Sequence, residues 1–434
     1  MKPPACGLVT LIPLAAFGLT SSAPAQQGAA ALAPADPPAA EGAMAPRVFA
    51  HAGGVLLSWL EPVQTAPGSN GENDAESLRL RFARYAPGRG WSEARTIVQG
   101  VPFFANWADV PSVIIADDGA LLAAWLEKTA DATYAYDVRL ARSIDGGATW
   151  THLGAPHNDG TPTEHGFVSL VPEPPAARAF WLDGRAMAVV AGEDDDEGGH
   201  GPGDMTLRTA VITDRVVQGT MLDDRVCECC NTDAVLTDAG PIIFYRDRGH
   251  DEVRDISFVR YDGMEWSLPQ PVHIDGWEIA GCPVNGPAAD ARGSAVVVVW
   301  YTAAASRPLI RAAFSRDAGA TFEPPIILDD GQPLGRVDVA LDPDGSAIAC
   351  WLDGGAGFGT LVARRFGPDG RAGPKVSVAA SSSRRSGGFA RLARVADDLL
   401  LVWMEDRPTL RIRAAIVDPG EFPTGTDENP PVRD

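Results

Sequence analysis

The chain repeats one short pattern seven times, and this repeat limits the possible folds more than any other feature of the sequence. Each copy is a run of aliphatic or β-branched residues that ends in an aromatic residue, and in six copies an acidic residue follows two positions later. The aromatic residues are Trp59, Trp125, Trp181, Tyr245, Trp300, Trp351 and Trp403. Their spacing of roughly 50–65 residues is regular and lies slightly above the usual period of repeat architectures.

A second strand-like segment follows each copy, and in six of the seven it carries an arginine near its start. These arginines are Arg79, Arg139, Arg208, Arg254, Arg311 and Arg411. Two further short strand-like segments fit into each interval, without helical periodicity. Four short strands per repeat predict an all-β fold, a β-propeller with seven four-stranded blades. Six blades are the alternative, if the first or last copy completes a shared blade.

We label the strands of each blade a to d, with the aromatic residue on strand b and the arginine on strand c. The acidic residue at the end of strand b then lies beside that arginine. Such pairs form either a charged ring around a pocket or cross-strand ion pairs that fix the register of each blade. Their repetition in nearly every blade favours the structural role. The last copy lacks an evident strand d, which residues 40–46 are expected to supply in closing the ring.

The two ends of the chain differ from the repeat region. Lys2, an apolar run and the small-residue sequence Ala23-Pro24-Ala25 are typical of a cleaved secretory signal. We therefore expect a secreted or periplasmic protein, cleaved near Ala25. The expected organisation is a signal peptide at residues 1–25, an Ala/Pro-rich linker at 26–45, the propeller at 46–417 and a polar tail at 418–434. No other apolar run is long enough to predict a membrane span.

The charge of the chain excludes two classes of partner. The sequence has 57 acidic and 36 basic residues, a formal net charge of −21. Nucleic acids and anionic membrane surfaces would be repelled by this charge at long range. A glycan or another small molecule remains compatible with it as a ligand.

Two turns carry a common motif. Residues 143–150 read SIDGGATW and residues 315–322 read SRDAGATF, each between strands c and d. In such a turn the aspartate can accept hydrogen bonds from backbone amides, glycine adopts conformations that other residues resist, and the final aromatic residue packs between blades. The motif residues are Ser143, Asp145, Gly147, Thr149 and Trp150, and Ser315, Asp317, Gly319, Thr321 and Phe322. The pattern resembles the Asp-box, or BNR repeat, of the sialidase-like β-propellers.

The resemblance implies a propeller whose functional site lies on the face opposite the motif, where the d-to-a and b-to-c loops meet. It also implies an exo-glycosidase that acts on sialic-acid-type or related acidic glycans. A sialidase of this family has three arginines that bind the substrate carboxylate, an early F/Y-R-I-P motif, an acidic acid/base and a tyrosine nucleophile paired with a glutamate. No R-I-P tripeptide occurs here, and the sequence makes no tyrosine–glutamate pair evident. The resemblance therefore implies the fold and the face of the site, and assigns no catalytic residue.

Departures from the repeat mark candidate functional residues. Asp109, His165 and Cys229 occupy equivalent positions just before strand a in three successive blades, and Cys282 and Asp338 lie near that position in the next two. The fourth blade also replaces the usual Trp-Leu-acid sequence. It carries Tyr245, Arg246 and Asp247 instead. We therefore expect these side chains to meet in a funnel on one face.

Four cysteines near this position, Cys227, Cys229, Cys230 and Cys282, allow two interpretations. In an exported protein they would form one or two disulfides that join the fourth blade to the fifth. Alternatively, they are thiolate ligands that bind copper or zinc together with His165. The second interpretation predicts a non-hydrolytic propeller that binds metal, a glycan or a protein partner, in place of a glycosidase.

Overall fold

A computed structural model describes residues 29–63, 77–188, 203–217, 219–355, 359–384, 387–406 and 408–425. The strands form seven antiparallel sheets, which confirms the predicted seven-bladed β-propeller. The signal predicted at residues 1–25 lies outside the described residues, as do residues 426–434 of the predicted tail. Among the described residues, no helix has the length and apolar composition required to cross a membrane.

The blades follow one another along the chain. Blade 1 contains β2 (Met44–His51), β3 (Gly54–Pro62), β4 (Leu78–Ala86), β5 (Gly90–Trp91) and β6 (Arg95–Gln99). Blade 2 contains β7 (Ser112–Ile115), β8 (Leu121–Lys128), β9 (Tyr136–Ser143) and β10 (Thr151–Gly154). Blade 3 contains β11 (His165–Val171), β12 (Ala177–Asp183), β13 (Thr206–Ile212) and β14 (Thr220–Asp223). Blade 4 contains β15 (Asp233–Thr237), β16 (Gly240–Arg246), β17 (Ile256–Arg260) and β18 (Gln270–Pro271). Blade 5 contains β19 (Ala288–Arg292), β20 (Ala295–Thr302), β21 (Leu309–Ser315) and β22 (Ile326–Asp329). Blade 6 contains β23 (Pro333–Leu341), β24 (Ala347–Asp353), β25 (Gly359–Phe366) and β26 (Val376–Ser381). Blade 7 contains β27 (Arg391–Val395), β28 (Asp398–Glu405), β29 (Arg411–Val417) and, from the start of the described chain, β1 (Ala33–Pro34). Within the described ranges there are also three short 3₁₀ helices, η1 (Arg185–Met187), η2 (Ala304–Ser306) and η3 (Pro419–Glu421).

The first strand of each blade lies beside the first strands of the neighbouring blades, so these strands surround the central axis. The hydrophobic core lies between the blades. The aromatic residues of strand b in blades 1 to 6 are all buried there. Because each of these rings fills space between sheets, truncating one to alanine would destabilise the fold by about 3–5 kcal/mol.

In blades 1 and 2 the acidic residue at the end of strand b bonds within its own blade. In blade 1 the indole N–H of Trp59 donates to Glu61 at 2.7 Å, and Arg79 forms an ion pair with the same carboxylate at 2.8 Å. In blade 2 Trp125 donates to Glu127 at 2.7 Å, and Arg139 lies 3.3 Å from it. The acid therefore connects strand b to strand c, as the structural interpretation of the repeat predicts.

The two motif turns share one hydrogen-bond pattern. Asp145 accepts hydrogen bonds from the backbone N–H and the hydroxyl of Thr149, and Asp317 accepts the same pair from Thr321. Gly147 has a φ of +90°, and a Cβ there would lie 2.4 Å from the Phe82 ring of blade 1. The last motif residues lie between blades, since Trp150 packs edge-on against Phe82 and Phe322 packs against Phe244 and Phe258.

The ring is closed by a different segment from the one expected. Residues 33–34, inside the predicted linker, pair with β29 as the outer strand of blade 7, whereas residues 40–46 lead into strand a of blade 1. The outer edge of blade 7 lies far from the axis, so the chain must cross the blade before it can enter β2. Two hydrogen bonds hold this crossing in place: Trp91 donates to the carbonyl of Ala35 at 2.7 Å, and Asp36 accepts from the amide of Ala414 at 3.0 Å.

Removal of residues 29–36 should therefore open the ring. We expect the thermal unfolding midpoint to fall by about 2 °C or more, because the deletion exposes the edge of β29 and removes the bonds of Ala35 and Asp36. The control is a chain that begins at residue 29. Differential scanning calorimetry and size-exclusion chromatography measure stability and self-association, and an unchanged midpoint with a single monomeric peak would contradict closure by this segment.

Candidate functional site

The cysteine cluster lies where the chain enters blade 4. A disulfide joins Cys229, just before β15, to Cys282 in the loop before β19, so it connects blades 4 and 5 as the disulfide interpretation predicts. Cys227 and Cys230 are free and buried. The sulfur atoms of Cys227, Cys229 and Cys230 all lie within 4.8 Å of one another. The structure therefore combines one disulfide with a buried pair of thiols in C-x-x-C spacing, a spacing that the sequence interpretation missed.

Two arginines provide positive charge beside the thiol pair. Arg254 Nη1 lies 3.4 Å from Cys227 Sγ, and both Arg254 and Arg246 are buried. Burial raises the pKa of Cys227. At Cys230 burial acts in the same direction, but a hydrogen bond from the Cys227 thiol and the positive charge of Arg246 outweigh it and lower the pKa. Cys230 is therefore the sulfur that ionises first.

Arg246, one of the predicted site residues, is bound by the protein itself. Its guanidinium donates to the backbone carbonyls of Asn285, Arg254 and Tyr301 at 2.6–2.8 Å. It also lies 4.8 Å from the centre of the Trp277 ring. The side chain therefore joins strand b of blade 4 to the entrance of blade 5 and brings a positive charge to the thiol pair.

The two other predicted residues of blade 4 are also held by the protein. The buried Tyr245 hydroxyl donates to Asp223 of β14, the outer strand of blade 3. Asp247 accepts hydrogen bonds from the hydroxyl of Ser257 and the amide of Arg248. Burial, with the nearby charge of Asp223, raises the pKa of Asp247 to about 6. These contacts replace the Trp-acid-Arg arrangement of the other blades.

Asp109, the equivalent position in blade 2, belongs to a buried triad. The Tyr136 hydroxyl donates to Glu164 Oε1 at 2.6 Å and lies 3.2 Å from Asp109 Oδ2. Burial raises the pKa of Asp109 to about 7 and that of Glu164 to about 8. The sequence made no tyrosine–glutamate pair evident, because Tyr136 starts β9 and Glu164 precedes β11, in two different blades. No spacing in the sequence signals this contact.

His165 lies apart from the cysteines, in a second cluster with three carboxylates. Because side chains alternate along a strand, His165 projects to the face opposite Glu164. Its ring stacks on that of His157, with centres 3.8 Å apart. Burial lowers the pKa of His157 to about 4, whereas the surrounding carboxylates outweigh burial and raise the pKa of His165. The carboxylates are those of Asp137, Asp159 and Asp183.

Asp338 lies deeper, on β23 in the central channel. This channel contains a cavity of about 290 Å³, lined by the inner strands and by Arg47, Asp233 and Arg391. Asp338 accepts a hydrogen bond from the amide of Leu392 in the next blade at 2.9 Å. Burial raises its pKa to about 6. Its contacts connect blade 6 to blade 7, away from the cysteine and histidine clusters.

The chain matches no protein-family model and no curated protein. Among solved structures it is similar to the Trypanosoma rangeli sialidase in complex with the inhibitor DANA, with 11% identity and a TM-score of 0.40 over 76% of this chain and 56% of the sialidase. It is also similar to the Penicillium chrysogenum α-L-arabinanase complexed with arabinobiose (13% identity, TM-score 0.44, 92% and 99% coverage). A third similar structure is the six-bladed Aleuria aurantia lectin (13%, 0.41, 78% and 94%). The chain thus spans just over half the length of the sialidase.

A substitution pair tests whether Arg246 has a structural role. Arg246→Met leaves three buried carbonyl groups without their donor, and we expect it to lower the free energy of unfolding by about 3–5 kcal/mol. Arg248→Met, two residues away in a more exposed ion pair with Glu252, should lower it by no more than about 1 kcal/mol. Urea unfolding measures both values. Equal effects of the two substitutions would contradict this role.

The raised pKa of Glu164 predicts a pH dependence of stability. The folded chain keeps the proton up to about pH 8, whereas the ordinary value is 4.5, so this group stabilises the fold at low pH and the contribution is lost as the pH rises through that window. Glu164→Gln removes the titration. We expect wild type to lose stability relative to this variant between pH 5 and pH 8 in urea unfolding.

The exposed Glu93→Gln is the matched control for this comparison. It should follow the wild-type pH dependence. A constant difference between wild type and Glu164→Gln at every pH would contradict a buried, protonated Glu164.

Proposed function

We propose that this chain is a metal-binding propeller that holds Cu(I) between the thiolates of Cys227 and Cys230. The observation that carries the proposal is the pair of buried free thiols, whose sulfur atoms lie within 4.8 Å of each other and of the Cys229 sulfur. Thiolates are soft ligands and select Cu(I) over harder divalent ions. A binding role also fits a site whose other polar side chains already form hydrogen bonds or ion pairs within the protein.

The number of available ligands favours Cu(I) over zinc at this position. A structural zinc site takes four protein ligands. With Cys229 bonded to Cys282, two thiols remain. The neighbouring Glu228 is engaged by Arg248 and by Arg254. Cu(I) is satisfied by fewer sulfur ligands than zinc requires.

Charge balance supports the same choice. Two thiolates with one Cu(I) carry a single net negative charge, and burying an uncompensated charge is strongly unfavourable. Arg254 lies 3.4 Å from Cys227 Sγ, and the charge of Arg246 acts on Cys230. These guanidinium groups offset the charge of the loaded site. They also stabilise the thiolate form that the metal requires.

The binding test is a competition titration of the purified protein with Cu(I) and bathocuproine disulfonate under anaerobic conditions. We expect wild type to retain one Cu(I) per chain. Cys227→Ser and Cys230→Ser should each weaken binding by at least about 100-fold, a loss of roughly 2.7 kcal/mol. Cys350→Ser is the matched control, because Cys350 is also a buried free cysteine but lies in blade 6.

Cys282→Ser separates the role of the disulfide from that of the thiols. This variant keeps Cys227 and Cys230 and frees Cys229, so it should bind Cu(I) at least as tightly as wild type. Its stability should be lower, because the disulfide closes a loop of 53 residues and contributes about 4 kcal/mol in the chain-entropy account. Loss of all Cu(I) to the chelator in wild type, or binding by Cys227→Ser or Cys230→Ser as tight as that of wild type, would reject the proposal.

A second candidate function is hydrolysis of an acidic glycoside, and one observation favours it. Tyr136 donates to Glu164 beside Asp109, which combines a tyrosine, a glutamate and a second acid. The buried position of Tyr136, stacked on Phe104 with ring centres 3.9 Å apart, opposes direct attack on a substrate. A family sialidase would expose this hydroxyl to the sugar.

A fluorogenic sialoside and a panel of other acidic glycosides test this candidate. Turnover that disappears in Tyr136→Phe, with the fold retained by circular dichroism, would support hydrolysis. Absence of turnover across the panel, or activity that is the same in Tyr136→Phe, would reject a role for the triad in catalysis.

A further inference from the structure

The histidine cluster between blades 2 and 3 contains ligand atoms that the protein leaves without hydrogen-bond partners. Among the described residues, buried atoms in this condition include His157 Nε2, Asp159 Oδ2 and His165 Nε2, all in this one cluster. Buried polar atoms normally have a partner. Asp159 Oδ2 has ion-pair contacts with His165 at 3.3 Å and with Arg185 at 3.2 Å, but these contacts lack hydrogen-bond geometry. Three such atoms, each of a type that binds metal ions, point to a site for a cation.

The distances in this cluster are those of atoms that share an ion. Asp159 Oδ2 lies 3.3 Å from His165 Nε2, and His165 Nε2 lies 3.7 Å from Asp183 Oδ1. Both separations are longer than a good N–H···O hydrogen bond of about 2.9–3.0 Å. Zinc–ligand bonds of about 2.0–2.1 Å in tetrahedral geometry place neighbouring ligand atoms about 3.3 Å apart. The separation of Asp159 and His165 matches this spacing, the 3.7 Å separation of His165 and Asp183 exceeds it slightly, and all three ligand atoms lie within 4.8 Å of one another.

A metal requires the neutral imidazole of His165, so it would displace the proton that the raised pKa of this residue retains. Its Nδ1 lies 3.2 Å from the carbonyl oxygen of Thr163, to which it can donate its proton. This leaves the lone pair of Nε2 directed at Asp159 and Asp183. A hydrogen bond from the second ring nitrogen to a backbone carbonyl is a common support of metal-binding histidines.

His157 supports this ring and does not share the same ion in the observed conformation. The two rings are stacked with an angle of 5° between their planes, 3.8 Å apart. An ion bound in the plane of His165 would lie out of the plane of His157. His157 therefore acts as a positioning residue that fixes the orientation of His165.

The guanidinium of Arg185 forms ion pairs with two carboxylates of the cluster, those of Asp159 and Asp183. Its Nε and Nη2 atoms lie 2.6 and 2.7 Å from the two oxygens of Asp183, and Nη2 lies 3.2 Å from Asp159. A divalent ion that binds both carboxylates competes with this guanidinium. Arg139 and Arg208 also face the cluster, at 3.2 Å from Asp137 and 3.7 Å from Asp183. The positive groups weaken the binding of the cation without removing its ligands.

We propose that Asp159, His165 and Asp183 bind a divalent transition-metal ion of the zinc class. This site uses nitrogen and oxygen ligands and is separate from the thiol pair, so it does not rest on the proposed copper site. Asp159 and His165 depart from the repeat, because they belong to the loop and strand entrance between blades 2 and 3. A carboxylate–imidazole ligand set suits zinc and other borderline ions.

The test uses the Cys227→Ser/Cys230→Ser double variant, in which the thiol pair cannot bind metal, and isothermal titration with Zn²⁺. We expect one saturable site. Asp159→Asn and His165→Gln, which nearly preserve side-chain size, should each weaken binding by at least about tenfold. His152→Gln is the matched control, because His152 lies in β10 of the adjacent blade 2 and contacts Trp125 outside the cluster.

Arg185→Met gives a readout that a merely structural cluster would not produce. Removal of the competing guanidinium should tighten Zn²⁺ binding. It should also lower the stability of the metal-free chain, since Asp183 loses its ion pair with Arg185 and keeps the indole N–H of Trp181. Unchanged or weaker Zn²⁺ binding in Arg185→Met, or absence of a saturable site in the parent variant, would overturn the proposal.

The visible spectrum of Co²⁺-loaded protein with all cysteines present locates the ion even where a substitution disturbs the fold. Tetrahedral d–d bands without sulfur-to-metal charge transfer would place the ion on the nitrogen and oxygen ligands. A charge-transfer band that accounts for all bound Co²⁺ would place it on the cysteines and contradict this site.

Discussion

The propeller depends on hydrogen bonds that carboxylates of one inner strand accept from the backbone of the next blade. Asp233, Asp290 and Asp338 accept such bonds from Ala289, Leu341 and Leu392 at 2.8–2.9 Å. Asp109 accepts the same kind of bond from Phe167 at 2.8 Å. Because each blade has its own sheet, these bonds connect neighbouring sheets around the axis. Removing one would leave a buried amide without a partner.

The need for hydrogen bonds between blades explains why the entrances to strand a carry many polar side chains. The chain changes blade at these points, and its backbone groups need partners from elsewhere. In blades 4 and 5 side-chain amides take this role: Asn231 and Asn285 accept bonds from Gly286 and Arg336. The Cys229–Cys282 disulfide lies at the same junction. The buried thiol pair is therefore located in one of the best-connected parts of the ring, where ligand atoms are held in place before a metal binds.

The sequence predicted the fold correctly because the repeat is a local property of each blade. The strand patterns and the aromatic residue of strand b recur in the successive blades, and in blades 1 to 3 the acid that bonds this aromatic residue lies on the same strand. A single chain therefore displays them. The closing strand at residues 33–34 was missed because two residues of alanine and proline carry no strand pattern. Their pairing is decided by the position of the blade 7 edge.

The candidate sites were predicted only in part, since they combine loops from different blades. The disulfide interpretation named the correct junction, but the separation of His165 from the cysteines depends on the direction of its side chain on β11. Likewise, Tyr136 meets Glu164, and His165 meets Asp159, through loops whose lengths set the contact. The spacing of these residues along the chain does not indicate that their side chains meet.

We propose that the buried sulfurs of Cys227 and Cys230, close to the Cys229–Cys282 disulfide, hold one metal ion. X-ray absorption at the copper edge of the Cu(I)-loaded wild-type chain tests it most directly. We expect an edge typical of Cu(I) and a first coordination shell that contains sulfur alone, from Cys227 and Cys230. A first shell of nitrogen or oxygen would place the ion elsewhere on the propeller and contradict the account.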